Sequence, residues 1–334
     1  MSKCLVTGGA GFIGSHVAKE LLLEGNDVYI LDDLSGGFVD NIPEGAIFVK
    51  GSILNHELIN NIIESNKIDY IFHLAAYAAE GLSHFIKRFN YNNNLIGSVN
   101  LINAAINYKV KCFVFTSSIA VYGAGQLPMN ENMVPVPEDS YGISKYAVEL
   151  DLMESFKMFG LKYIIFRPHN VYGENQNIGD KYRNVIGIFI NQIMQGKPLT
   201  IFGDGSQTRA FSYINDVAPV IAKSIKIPEA YNHIFNVGAD IPYSVKYLAE
   251  IVSKCMGVEP IINYLEKRDE VLHAFSAHEK VEKIFGYKSK YSLEEGISNM
   301  VKWAKTIGPR KSKLFGEIEV YKNMPKSWLE AIEK

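Results

Sequence analysis

The first half of the chain alternates two hydrophobic rhythms. Short apolar runs at Lys3–Thr7, Asp27–Leu31, Ala46–Lys50, Ile68–His73, Lys111–Thr116 and Tyr163–Phe166 read as strands. Runs of this kind suit the interior of a parallel sheet, where both faces are covered. Between them, apolar residues recur at helical spacing over Asn55–Glu64, over a long stretch from His84 to Tyr108, and over Tyr141–Met158. A further helical pattern starts at Phe12. Strands alternating with helices predict right-handed crossovers and a doubly wound parallel sheet, an α/β fold. From about Tyr172 the pattern loosens, and loops rich in Gly, Asn and Pro separate shorter elements. This part is expected to form a smaller mixed α/β substrate domain over the carboxyl edge of the sheet, where ligands bind in open α/β folds. Asn215–Lys226 and His233–Val237 are regular enough to rejoin the first domain. The expected division is 1–171 with 212–240 for one domain, and 172–211 with 241–334 for the other.

The turn after the first strand carries the strongest chemical signal. Gly8-Gly9-Ala10-Gly11-Phe12-Ile13-Gly14 joins Lys3–Thr7 directly to the helical pattern. Strand, glycine turn and helix together make a dinucleotide phosphate site of the Rossmann type. Gly8 takes the turn, Gly11 lets backbone approach a pyrophosphate, and Gly14 lets the helix pack on the strand. The helix N-terminus, at Phe12, Ile13 and Gly14, offers unpaired N–H groups to the phosphates. The second strand ends in Asp32-Asp33. A carboxylate there, about 20 residues after the glycines, accepts hydrogen bonds from a ribose diol. It would repel a 2′-phosphate, so NAD is favoured over NADP.

Composition narrows the field. A net charge of -2 on 334 residues, with no basic stripe, argues against nucleic acid as a partner. No apolar run approaches the ~20 residues of a membrane span. The first strand begins at the third residue, which leaves no room for a signal peptide and points to the cytoplasm. Cys4, Cys112 and Cys255 are odd in number and far apart, so a reducing compartment and no metal site are expected. The tail beyond Gly308 opens with Arg310, Lys311 and Lys313, which read as a solvated face, and continues to Trp328 in a short amphipathic stretch expected to pack on the body or on a partner subunit.

Tyr141-Gly142-Ile143-Ser144-Lys145 opens a predicted helix. Residues four apart share a helix face, so a phenol and an ammonium can enter one site. The phenol ordinarily ionises near pH ~10; bringing that close to neutrality takes roughly 4 kcal/mol of differential stabilisation. The Lys and an oxidised nicotinamide are expected to supply it, making Tyr141 a general base toward an alcohol. Ser118, just past the strand Lys111–Thr116, stands where a hydroxyl relays the proton; a turn-capping Ser is the plainer reading.

Here the chain resembles the extended short-chain dehydrogenase/reductase family, in its nucleotide-sugar epimerase/dehydratase branch. Thr7–Gly14, Asp32-Asp33, His73-Leu74-Ala75-Ala76, Ser117-Ser118 with Val121-Tyr122-Gly123, Tyr141 with Lys145, and Arg167–Gly173 match in order. Phe202–Arg209 and Phe235–Gly238 continue the match, which runs to about Gly308. The resemblance implies a catalytic Ser118, Tyr141 and Lys145. It implies cofactor contacts from Ser52, Ile53, Leu74, Ala75, Ala76, Asn94, Thr116 and Pro168, beside the glycine loop and acids above. It places Asn170 between cofactor and substrate, Arg209 and Arg268 on the diphosphate, and Asn184 and Val185 near the base. Arg suits that role because its planar fork binds phosphate oxygens directionally; a surface ion pair is the plainer reading for each.

Some positions depart from the family pattern. Ser52 stands where an Asp usually touches the adenine, Ala210 follows the diphosphate Arg, and His169 replaces an aromatic Phe. His169 is expected to pack. Glu80 lies in a loop expected to border the sugar, and Ala274 near a position that gates bulk at the sugar C2. Dehydrating members carry Asp-Glu where this chain has Ile119-Ala120, and decarboxylating members carry Glu at position 120. Apolar side chains cannot serve as the extra acid and base that elimination needs. The resemblance therefore implies an NAD-dependent 4-epimerase of a nucleotide sugar, with a UDP-sugar as substrate. It also implies a homodimer paired through the His84–Tyr108 and Tyr141 helices. Another epimerase or oxidoreductase of the branch, or a catalytically silent NAD sensor, stands as the alternative.

Overall fold

The computed structural model describes residues 1–125, 127–267, 271–312 and 315–332. In chain order the first part holds β1 (Lys3–Thr7), α1 (Phe12–Leu23), β2 (Asp27–Asp32), β3 (Ile47–Lys50), α2 (His56–Asn66), β4 (Tyr70–His73) and α3 (Glu80–Ser83). It continues with α4 (Lys87–Tyr91), a π-helical turn (Asn92–Ile96), α5 (Gly97–Asn107), β5 (Cys112–Thr116), α6 (Ser140–Phe159) and β6 (Tyr163–Pro168). The second part holds β7 (Val171–Tyr172), α7 (Val185–Met194), β8 (Leu199–Phe202), β9 (Thr208–Ala210), β10 (Ser212–Tyr213), α8 (Ile214–Lys223) and β11 (His233–Val237). Then come β12 (Pro242–Ser244), α9 (Val245–Met256), β13 (Ile262–Leu265), β14 (His273–Ala274), α10 (Glu279–Phe285), α11 (Leu293–Ile307) and α12 (Lys326–Ile332).

Seven strands form one parallel sheet in the order β11-β6-β5-β4-β1-β2-β3. The order reverses between β1 and β4, which opens a crevice at their carboxyl ends, the binding position in this architecture. Every residue of β5 is buried, as a central strand covered on both faces requires. Edge strand β3 is instead half-exposed. Two apolar cores flank the sheet. One packs α1 and α8 and extends into α7, α9 and α11, and the other packs α2, α5 and α6. Asn215–Lys226 does form a helix against α1, ending in a 3-10 turn, and His233–Val237 joins the sheet beside β6. The remaining small sheets are β10-β7, β12-β9-β14 and β13-β8.

The helix expected over His84–Tyr108 differs. Its regular part starts at Lys87, and Asn92–Ile96 is wound as a π turn. The cause of the late start is remote. The Glu319 carboxylate accepts the Arg88 and Phe89 backbone N–H groups (2.7 and 2.9 Å), capping the helix there. At the start of the tail Arg310 departs from the solvated face expected there, Lys311 is exposed as expected, and Lys313 lies outside the described residues. The Arg310 guanidinium stacks 3.7 Å from the Phe38 ring centre, and its backbone pairs with the Asn191 amide. Among the described residues no helix is long and apolar enough to cross a membrane.

Candidate active site

A cleft of about 1630 Å³ lies over the carboxyl ends of β1, β4, β5 and β6. Single-ligand pockets run to about 1,000 Å³, so this one has room for two ligands end to end. The glycine loop forms one end. Gly8 sits at φ +71°, and a Cβ there would come 2.7 Å from the Ala75 nitrogen. A Cβ on Gly14 would come 2.1 Å from the Gly8 carbonyl oxygen. The helix α1 starts at Phe12 without a side-chain cap, so its first N–H groups face the cleft with Gly11, Phe12, Ile13 and Gly14 on the wall. That is an anion site made of backbone.

Asp32 and Asp33 also line this end. Asp32 is buried and accepts the Ala10 N–H at 3.1 Å and the Leu34 N–H at 2.8 Å. Burial raises its carboxyl above the usual range, and the two N–H bonds oppose that rise. It therefore shapes the glycine loop, while its remaining acceptor capacity faces the cleft. Asp33 accepts only the Ser35 N–H among the bonds described and is exposed. Ile53, Leu74, Ala75, Ala76, Thr116 and Pro168 complete the wall. Ser52 does not line it; its hydroxyl accepts the Leu54 N–H at 3.2 Å. Asn94 is buried behind the wall. Its amide accepts the Tyr77 N–H (2.8 Å) and donates to the Tyr77 carbonyl (3.1 Å), so it holds the loop after β4 in place. The Thr116 hydroxyl is buried on the cleft without a hydrogen-bond partner among the described residues. A buried, unpaired hydroxyl beside a backbone cradle for phosphate fits a bound dinucleotide.

The reacting end is built on α6. The Asp139 carboxylate accepts the Gly142 N–H at 2.8 Å and starts the helix. That cap puts Tyr141 in the first turn and stacks Tyr141, Lys145 and Glu149 at spacings of four along one face. Ser118, whose hydroxyl caps the Ala120 N–H at 3.1 Å, lies near enough to the Tyr141 phenol to favour its ionised form. Lys145 is 2% exposed and donates to the Thr116 carbonyl at 2.8 Å.

Burial sets the electrostatics of both groups. The phenol of Tyr141 is raised, first by burial and then by the charge of Glu80, and the nearby Ser118 hydroxyl only partly opposes this. Burial lowers the Lys145 ammonium itself to about 7, against the pull of Glu149. The lysine nitrogen lies 4.7 Å from the Phe115 ring centre and 5.8 Å from that of Tyr141. The chain alone holds the phenol protonated, and a cation on the ligand side of the cleft has to favour its ionised form.

The substrate end draws on distant segments. Glu80 opens α3 on the cleft wall. Asn170 lines the cleft at φ +41° and donates to the Ala210 carbonyl at 3.2 Å. Asn184, at φ +61°, and Val185 open α7 on the same wall, and the Asn184 amide bonds the Val171 carbonyl. Arg209 lines the cleft with its guanidinium on the carbonyls of Thr208, Leu272 and Val271 (2.9, 3.0 and 2.5 Å). Ala274 lies on the same wall. Arg268 falls outside the described residues.

The Glu149–Arg167 pair, the partners of the packed His169, and the place of the tail on the cleft were not drawn from the sequence. Glu149 and Arg167 form a fully buried pair (2.5 Å) whose carboxylate also accepts the hydroxyl of Ser117, the residue before Ser118. The four-residue step from Lys145 to Glu149 was the available signal. His169 is buried and bonds the Ala210 carbonyl (3.0 Å) and His278 (3.2 Å), which in turn bonds Asp240 (2.5 Å). Burial and His278 lower His169 to about 3, so it packs as a neutral imidazole. The tail also lines the cleft, through residues including Lys322, Asn323 and Trp328.

A model of the NAD dependent epimerase/dehydratase family matches residues 4–238. The chain is 35% identical over 304 residues to a putative UDP-glucose 4-epimerase of Methanocaldococcus jannaschii, covering 90% of this chain and 98% of that one. It is 30% identical over 363 residues to a dTDP-D-glucose 4,6-dehydratase of Dictyostelium discoideum, covering 91% of this chain and 82% of that one. The structure of a UDP-glucose 4-epimerase from Thermotoga maritima with UDP-glucose matches it with a TM-score of 0.86 at 34% identity, over 91% of this chain and 99% of that one. The match extends past the sheet to almost the full length of these relatives, and the chain belongs to the NAD-dependent epimerase/dehydratase family.

Proposed function

We propose that this protein is a nucleotide-sugar 4-epimerase acting on a UDP-sugar, with NAD as its resident cofactor. One observation carries the choice within the family. Ser118 and Tyr141 are neighbouring proton-handling groups on the cleft, and Ile119 and Ala120 beside them are apolar. Elimination needs a further acid and base at the neighbouring sugar carbons, and neither side chain can hold a proton. Oxidation and reduction at one carbon need only one proton-transfer group.

On this reading the Tyr141 oxygen takes the C4 hydroxyl proton, with Ser118 bridging the two oxygens, and later returns it to the opposite epimer. When bound, NAD supplies the hydride acceptor at C4 and a positive ring that offsets the cost of a buried phenolate. Lys145 holds the β5 end through the Thr116 carbonyl. Asp32 and Asp33 receive the adenosine ribose, and Asn94 acts at a distance, by fixing the loop at Tyr77. Arg209 and Asn170 meet the diphosphate and sugar, and Asn184 with Val185 the base. Residues 1–171 with 212–240 form the cofactor half, and the rest the substrate half.

The same reading includes a homodimer in the cytoplasm. Ile96 on the π turn and Ile143 and Leu150 on α6 are 47%, 43% and 46% exposed, an apolar surface that a partner copy would cover. Light scattering checks this. The function is tested by mixing purified protein with UDP-glucose and UDP-N-acetylglucosamine and following anomeric NMR signals. A second epimer should appear without added NAD. An accumulating keto sugar, or stoichiometric NADH release, would reject 4-epimerisation.

A further inference from the structure

The resemblance to the family stops near Gly308, yet the tail does not hang free of the site. Glu319 and Val320 donate their backbone N–H groups to the Phe85 carbonyl (2.8 and 3.2 Å). The Glu319 carboxylate caps α4 through Arg88 and Phe89. These four bonds stitch the tail to the segment that follows α3. An apolar cluster then seals it. Met324 and Trp328 are buried among Ala79, Leu82, Phe85 and Ile86. The Trp328 ring meets Phe85 edge-on at 6.2 Å and Tyr182 at 5.0 Å. Lys326 reaches Glu266, just past β13, at 3.4 Å, so the tail spans the cleft mouth from one half to the other.

The tail stands at the reacting end of the cleft. A Cβ on Gly81 would lie 3.8 Å from the Trp328 ring, and Gly81 follows Glu80. Glu80 is close enough to raise the Tyr141 phenol by its charge, and so is Arg183, next to Tyr182, to lower it. Trp328 is therefore one residue removed, on two sides, from groups that act on the reacting oxygen. Trp328, Lys322 and Asn323 line the same cavity as Ser118 and Tyr141.

We infer that the segment 315–332 is a wall of the sugar subsite, with Trp328 as its fixed element, and that it contributes to binding the sugar but not the nucleotide. This rests on the reading of the ligand as a nucleotide sugar. A large rigid aromatic held by packing offers an apolar face at low conformational cost, which suits the C–H side of a pyranose ring. Lys322 and Asn323 add donors for hydroxyl groups at the rim.

Calorimetry on the NAD-loaded protein separates the two ends, with UDP and UDP-glucose as probes. Trp328→Ala should weaken UDP-glucose binding about tenfold or more, the equivalent of about 1.4 kcal/mol, and leave UDP within about twofold. Equal binding of UDP-glucose by the variant and the parent, or equal loss of both ligands, overturns the inference. A parent protein that binds neither ligand overturns the proposed function instead, and the inference with it. The chain has two tryptophans, Trp303 and Trp328. In a Trp303→Phe protein, where nothing is removed from the tail, the emission of Trp328 should shift with UDP-glucose and not with UDP. An emission indifferent to UDP-glucose also overturns the inference, whatever the folding of the alanine variant.

Discussion

The two ends of the cleft are built from different material. The cofactor end is mostly backbone: glycines at close approach, an uncapped helix start, and a carboxylate that braces the loop it serves. The substrate end is assembled from side chains on segments far apart in the chain, including α3, the β6–β7 turn, α7, β9 and the tail. Backbone geometry follows from local sequence and tolerates almost no change. Side chains on loops can be exchanged one at a time, which is how one cofactor fold serves many substrates. Between the two ends, the Tyr141 phenol is held protonated by burial, so neither end is chemically complete without its ligand.

Changes at the junction should break this picture most severely. Tyr141→Phe removes the proton carrier and should cut turnover on the order of 10²–10⁴-fold, while NAD stays bound and the melting temperature holds. Turnover at the parent rate would remove Tyr141 from the chemistry. Beneath the junction, Glu149→Ala strands the buried Arg167 guanidinium and should cost about 3–5 kcal/mol in chemical denaturation, as breaking a buried pair does. At the cofactor end, Gly14→Ala pushes a methyl against the Gly8 carbonyl. It should cost about 1–3 kcal/mol and weaken NAD retention, as overpacking does; Ser52→Ala, off the wall, should change stability by less than about 0.5 kcal/mol.

Lys145 offers a smaller and graded test. Its folded-state value of about 7 lies below the ordinary 10.5, chiefly because it is buried. The folded protein then releases this proton before the unfolded chain does. Below pH ~7 the cost of burying the ammonium is present in full, and stability should rise as pH climbs from about 7 toward 10, by at most about 1.4 kcal/mol per pH unit. Denaturant midpoints at several pH values, compared with Lys145→Met, check the sign. A slope unchanged by the substitution would mean that Lys145 is ionised in the fold.

Much of the fold was legible because its signals are local. The strand at Lys3–Thr7 has the bounds its apolar run implied, and the others differ by two residues or fewer. The Tyr141–Lys145 spacing placed both side chains on one helix face, as observed. What was hidden depends on contacts across the chain. The start of α4 at Lys87 is set by Glu319, more than two hundred residues away in sequence. The Glu149–Arg167 pair needs β6 beside α6, which only the sheet order supplies. Spacing also says nothing of desolvation, and burial raises the Tyr141 phenol and lowers the Lys145 ammonium, against the phenolate that their pairing was expected to favour. Arg310 read as solvated because Phe38, its stacking partner, sits in a distant loop.

The central claim is that one carbon loses and regains its hydride within a closed cleft. Incubating the protein with UDP-glucose deuterated at C4, in ordinary water, tests this directly. The account expects the 4-epimer to form with its deuterium still on C4, and the nucleotide sugar to show no label elsewhere. Deuterium lost to solvent, label moved to C6 with loss of the hydroxyl there, or substrate unchanged after prolonged incubation would contradict it.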